Sequence, residues 1–217
     1  GSFGKIYGLT NSQGQRTSLT YDDADKVSSI VNSLDDITQY TYDKNGMRLS
    51  EIRTITTSSE IKTLTTQWTY NNEGLMLSQT DAENQTTSYE YDALGQKIAM
   101  IDALGHRTSY RYNDKGEQIE IIYPDETPNT LDDNLRERFS YDVLGRQISS
   151  IDLGGRETRY VYDKAGQLVE TLLPNATPNN WLDNPRIFAE YYDDGLVKAQ
   201  IDERGNRTEF RYDAKGQ

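Results

Sequence analysis

The sequence predicts an all-β protein made of tandem strand–turn–strand units in an antiparallel sheet, and three observations carry that prediction. An Asp-x-x-Gly turn signal returns every ten or eleven residues. The segments between the signals alternate side-chain character with a period of two. Tyrosines in one local context stand at 21, 42, 70, 91, 112, 141, 162, 191 and 212, separated by 21, 28 or 29 residues. Repeats at such intervals mark arrays of one supersecondary unit.

The turn comes first. In Asp92-Ala-Leu-Gly95 the acid can accept hydrogen bonds from amides two residues on, and the glycine supplies a positive φ without a Cβ penalty. That combination suits a type I turn followed by a G1 bulge. The same pair recurs as Asp102 and Gly105, Asn113 and Gly116, Asp142 and Gly145, Asp152 and Gly155, Asp163 and Gly166, Asp202 and Gly205, and Asp213 and Gly216. Between turns, Thr108-Ser-Tyr110-Arg-Tyr112 places the threonine and both tyrosines on one face of a strand.

The aromatic pair repeats as Tyr89 and Tyr91, Tyr110 and Tyr112, Phe139 and Tyr141, Tyr160 and Tyr162, and Phe210 and Tyr212. If hairpins stack in register, these pairs form a ladder of cross-strand contacts, each contributing about 0.2–1 kcal/mol.

Two kinds of insertion interrupt the array. Residues 51–67 alternate Ile or Leu with Thr around Ser58-Ser59 and read as an extra or lengthened hairpin. Residues 123–136 and 173–186 read as surface loops, in which Thr127-Pro128 and Thr177-Pro178 can each start one helical turn. These loops match across a longer period of fifty residues: Pro124, Asn134 and Arg136 return as Pro174, Asn184 and Arg186. No linker divides the chain, so residues 1–217 read as a single array, cut from a longer one. Gly1-Ser2 reads as a cloning remnant, and the free strand edges of a cut array invite self-association.

Composition narrows the function. Only 34% of residues are hydrophobic, and the 16 tyrosines suit half-wet sheet faces better than a dry interior. A net charge of −12 disfavours nucleic acid and anionic membrane as partners. The absence of cysteine removes disulfides and thiol chemistry. No apolar run is long enough for a transmembrane helix, so direct membrane insertion is not expected.

The pattern YxYDxxG…DxxGxxTxYxYDxxG, best seen at Tyr89–Gly116, Phe139–Gly166 and Tyr191–Gly216, resembles the RHS or YD repeat over nearly the whole chain. Members include bacterial RHS polymorphic toxins, wall-associated proteins, the B and C components of insecticidal toxin complexes, and teneurins. The resemblance implies a curved, spiralling sheet that forms a hollow shell, secreted or at the cell surface. In bacterial members the shell encloses a toxic C-terminal domain. There are departures: Asp25 stands where Gly is expected, and Tyr191-Tyr192-Asp193-Asp194-Gly195 has either Tyr at the Asp position or a deletion. Lys198 also replaces the Ile of Ile98 and Ile148.

No catalytic, cofactor or metal constellation emerges. His106 is equivalent to Gln85, Arg156 and Asn206 and reads as a turn-surface residue. The acids lack the spacing of calcium-binding repeats or EF-hands. Asp132-Asp133 and Asp183 are the best remaining cation candidates. Asn84, Asn175 and Asn206 open glycosylation sequons. The sequence therefore reads as a non-enzymatic wall segment whose partners are the rest of its shell and an enclosed C-terminal domain. A second reading is an adhesion module binding glycan or protein through its aromatic rows or through Leu131 and Trp181 in the loops.

Overall fold

The computed structural model describes residues 5–57, 59–125, 134–175, 182–213 and 215–217. Those residues form eighteen strands, every registered pair of which is antiparallel, and among them there is no helix. The chain divides into two compact units, Gly1–Arg107 and Thr108–Gln217.

The first unit runs β1 (Gly8–Thr10), β2 (Arg16–Tyr21), β3 (Val27–Val31), β4 (Ile37–Tyr42), β5 (Arg48–Thr56), β6 (Ile61–Tyr70), β7 (Met76–Thr80), β8 (Thr86–Tyr91) and β9 (Lys97–Ile101). Each strand pairs with the next. The second unit repeats the meander with β10 (Arg107–Tyr112), β11 (Gln118–Ile122), β12 (Arg136–Tyr141), β13 (Gln147–Ile151), β14 (Glu157–Tyr162), β15 (Leu168–Leu172), β16 (Arg186–Tyr191), β17 (Val197–Ile201) and β18 (Arg207–Glu209). Sequential strands as neighbours are what short turns impose.

Residues 51–67 form one lengthened hairpin, β5–β6, closed where the Thr57 amide donates to the Glu60 carbonyl at 2.8 Å. The proposed helical turns at Thr127-Pro128 and Thr177-Pro178, together with Leu131, Asp132-Asp133 and Trp181, lie outside the described residues. So do Gly1-Ser2, Ser58, and the Ala176-Thr177 of one sequon.

Very little of the molecule is dry. Among the described residues the buried apolar ones are Ala99, Ile122, Leu172 and Ala199, and most strand positions are half-exposed. This is how a chain so poor in aliphatic residues keeps a sheet. Stability is spread over ladder hydrogen bonds and many partly covered side chains, not concentrated in one packed layer.

The small residues have a specific reason to be small. Ala199 sits opposite Glu190 on the neighbouring strand, while Ile201 two residues on sits opposite Arg207 on the other side. The 2.8 Å ion pair of Glu190 with Arg207 therefore spans the strand that carries Ala199. Glu90 and Arg107, the same distance apart in sequence, make the same bridge at 2.7 Å, and Ala99 occupies the matching covered position. A longer side chain at either alanine would displace the bridge.

Candidate functional site: the turn edges and the tyrosine latch

The predicted turn residues all stand in turns. The Asp92 amide donates to the Gln96 carbonyl at 3.0 Å, and the Gly95 amide returns to the Asp92 carbonyl at 3.1 Å. The Asp92 carboxylate accepts from the Leu94 and Gln96 amides, both at 2.9 Å. Asp102 is bonded in the same way by Leu104 and His106, Asp152 by Gly154 and Arg156, and Asp202 by Arg204 and Asn206. Asp142 and Asp213 do the same, Asp163 accepts from Gln167, and Asn113 substitutes its amide oxygen for the carboxylate. Gly95, Gly105, Gly116, Gly145, Gly155, Gly166, Gly205 and Gly216 all have φ between 73° and 88°. Asp25, Asp35 and Asn84 hold the same left-handed conformation at 61–65°, the non-glycine residues that tolerate it best.

The two remaining departures, at Tyr192 and Lys198, resolve cleanly. Tyr192 occupies the Asp position, with its amide donating to Leu196 and its carbonyl accepting from Gly195, both at 2.9 Å. Asp194, two residues later, supplies the side-chain acceptor for the Leu196 amide. There is no deletion: Glu190 opposes Ala199 and Tyr191 opposes Val197, the register of the other copies. Lys198 is tolerated because its site is exposed, as is Ile148 in its own copy.

His106 is exposed, and its ring Nδ1 lies 2.9 Å from Asp102 Oδ2. Partial burial pushes the Asp102 carboxyl up, but the His106 amide and ring and the Leu104 amide hold it below the usual carboxylate range. The Arg156 guanidinium and amide hold Asp152 down in the same way. Asp183 accepts from the Asn175 side chain at 2.9 Å.

The aromatic ladder requires a correction. The paired aromatics lie on alternate strands, and their registered partners are not aromatic. Tyr89 opposes Met100, Tyr110 opposes Ile121, Phe139 opposes Ser150, and Tyr160 opposes Thr171. Tyr91, Tyr112, Tyr141 and Tyr162 oppose Lys97, Gln118, Gln147 and Leu168. Phe210 and Tyr212 lie beyond the end of β18, where Tyr212 meets Tyr192 edge-on with ring centroids 6.4 Å apart. Cations also cover rings: Lys97 over Tyr89, Arg146 over Tyr162, and Arg48 over both Tyr40 and Trp68.

What connects one unit to the next is the hydroxyl of the second tyrosine. Tyr91 donates to the Met76 carbonyl at 2.8 Å, and Tyr141, Tyr162 and Tyr191 donate to the carbonyls of Gln118, Gln147 and Leu168, each at 2.9 Å. Tyr21 and Tyr42 reach Ile6 and Val27 likewise. Each receiving carbonyl lies two residues beyond the last registered pair of the two strands concerned. There the ladder opens, because every hairpin closed by a Tyr-Asp turn carries a register shift one residue before its tyrosine, as between Arg111 and Tyr112. Such bulges add local twist and leave backbone groups unpaired.

Gln118 is the residue paired with Tyr112, Gln147 with Tyr141, and Leu168 with Tyr162. The tyrosines are thus linked in series through backbone carbonyls. This explains why the second position is Tyr at 91, 141, 162 and 191 while the first is Tyr89, Phe139, Tyr160 or even Ala189. Burial raises the Tyr42, Tyr91 and Tyr141 hydroxyl pKa values above the usual phenol range.

The arrangement is a repeated mechanical joint. Its polar groups are spent on neighbouring backbone. Among the described residues no grouping of three or more His, Cys, Asp or Glu is placed to hold a metal ion. No helix among them is long and apolar enough to cross a membrane.

The Teneurin YD-shell family model matches residues 1–123, more than half of the chain. The chain belongs to that family. An RHS Repeat model matches residues 141–178 of this YD-shell segment. Among solved structures, TcdB2-TccC3-Cdc42 superposes with a TM-score of 0.67 at 14% identity, over 94% of this chain and 12% of that one. TcdB2-TccC3 without its hypervariable C-terminal region gives the same values. TcdB2-TccC3 gives a TM-score of 0.54 at 14% identity, over 95% of this chain and 14% of that one. At that identity the likeness is one of fold, and the YD-shell segment spans only 12–14% of the length of those chains. No curated protein matches the chain. Family and fold give the segment a structural, wall-forming role.

Proposed function

We propose that the segment is a stretch of wall in an RHS/YD shell that encloses or presents a C-terminal toxin domain, and that it has no catalysis of its own. The observation that carries this reading is the tyrosine joint, repeated from Tyr21, Tyr42, Tyr91, Tyr141, Tyr162 and Tyr191, which ties successive hairpins by one kind of bond and so lets the wall extend without a specialised centre. The structure of TcdB2-TccC3 without a hypervariable C-terminal region supports a wall that is separable from a variable segment. The partners are the remainder of the shell and its contents, in a secreted or surface-exposed protein.

The test is limited proteolysis of the complete polypeptide that carries this segment. Its C-terminal domain should resist protease while the wall is intact. It should become cleavable when Tyr91, Tyr141 and Tyr162 are all changed to Phe. A C-terminal domain digested equally fast in both proteins would remove the enclosure reading. Reproducible hydrolase or nuclease turnover by the purified segment would remove the non-catalytic one.

A further inference from the structure

Two rows fifty residues apart, both within Thr108–Gln217, differ sharply. In the first, Glu120 on β11 lies between Arg111 on β10 and Arg138 on β12 in direct cross-strand register. Its side chain is 9% exposed and accepts from Arg111 Nη1 at 2.9 Å, Arg138 Nε at 3.1 Å and Arg136 Nη1 at 3.5 Å. In the second copy Glu170 pairs with Arg186, and the flanking positions are Val161 and Phe188.

Arg111 and Arg138 flank this single carboxylate in register, so the row sets two guanidinium groups against one acid on a strongly acidic chain. The Arg111 and Arg138 side chains are 56% and 54% exposed, and each engages Glu120 through a single nitrogen. A guanidinium offers five N–H donors in a planar fork, so both arginines present further donors to solvent. Standing on either side of Glu120, they lie two strands apart, about 10 Å at the usual spacing. Val161 and Phe188, 41% and 38% exposed, flank Glu170 in the same way. Glu120 and Glu170 are four strands apart, about 19 Å in the pairing direction. Strand alternation puts both rows on the same face of the sheet.

We propose that this face of the second unit docks an acidic polypeptide segment, with carboxylates seated on Arg111 and Arg138 and an apolar side chain against Val161 and Phe188. Charge complementarity selects the carboxylates, since planar guanidinium forks match them bidentately. The apolar second row selects polypeptide over polyphosphate or nucleic acid, which would need a basic footprint along its whole track. Instead the track continues past Glu157, Glu170, Glu190 and Glu209, each engaged by an arginine. The inference does not depend on what the shell encloses.

The test uses the 217-residue chain and a fluorescein-labelled peptide of about twelve residues, long enough to span both rows. The peptide carries two glutamates at one end and Phe-Leu at the other. Saturable binding by fluorescence polarisation at low salt is expected. Arg111→Gln with Arg138→Gln should weaken it about tenfold or more, because charge-assisted forks are lost. Val161→Ser with Phe188→Ser should weaken it separately, while Lys164→Gln at an exposed turn should leave it unchanged. Glu120 keeps Arg136 in the double arginine variant, and an unaltered melting curve would show that it folds. Absence of saturable binding, equal affinity in the arginine variant, or equally tight binding of inorganic polyphosphate would overturn the proposal.

Discussion

The stretches Tyr91–Ser140 and Tyr141–Glu190 are two versions of one fifty-residue block, and what they share differs in kind from what they do not. Both keep the turn bonds around Asp92 and Asp142, and both offer a carbonyl, Gln118 or Leu168, to the hydroxyl of the tyrosine that follows the block, Tyr141 or Tyr191. Both also fix their loop necks with a buried asparagine, Asn134 bonding the Tyr123 carbonyl and Asn184 the Leu173 carbonyl. The Glu120 row, by contrast, exchanges arginines for Val161 and Phe188. Side chains that satisfy backbone are held constant. Side chains that face water are free to acquire chemistry.

The strongest way to break this comparison is at a turn. Gly145→Val forces a β-branched residue to φ +80° and brings its Cβ against the Glu117 carboxylate, so it should cost about 2 kcal/mol or more. Chemical denaturation measures the loss, and a change below a few tenths would contradict the turn assignment. Next come the necks. Asn134→Ala and Asn184→Ala each leave a part-buried carbonyl without its donor, at a cost of about 1 kcal/mol that should be alike in both copies. Unequal losses would show that the necks are not equivalent.

Tyr141→Phe should cost about 1 kcal/mol by removing the hydroxyl bond, whereas Phe139→Tyr should be near neutral. Equal effects would remove the distinction between the two aromatics. The same joint gives an alkaline signature. The Tyr91 and Tyr141 hydroxyl pKa values are raised by burial. Their contribution is therefore complete below the unfolded phenol value near 10 and is lost as pH rises through the folded one. At the acid end, Asp102, Asp142, Asp152 and Asp202 are held below the ordinary carboxylate range. Their contribution is present above about pH 4 and falls as pH drops through the depressed values. Melting temperatures taken across pH should decline at both ends, and Asp152→Asn should shallow the acid limb. The smallest effect is expected at His106→Ala, below about 0.5 kcal/mol, because Asp102 keeps its amide donors.

The turns were legible in the sequence because Asp-x-x-Gly states its mechanism locally, whereas the register around Lys198 was not, since Tyr192 at the Asp position and a deletion give the same string until the strand pairing is known. The ladder was misread for a physical reason. Equal spacing of aromatics along the chain does not say that an intervening strand separates them, nor that a bulge opens the backbone beside each one. The hydroxyl joint did leave a signal, since the second aromatic never varies to Phe while the first does at Phe139 and Phe210. Glu120 left none. It is one acid among 35, distinguished only by the arginines that the register brings to it.

The bond from Tyr91 to Met76 reaches back 15 residues, and the bond from Tyr141 to Gln118 reaches back 23, yet the two differ by only 0.1 Å. The eight additional residues are absorbed between Tyr123 and Leu135, whose own backbone bond shuts the gap at 2.9 Å. Lengthening a surface excursion costs little, about 0.6 kcal/mol for each doubling. The masonry therefore offers interchangeable sockets. Extra peptide can be mounted at such a gap or enlarged there while the courses above and below stay where they were.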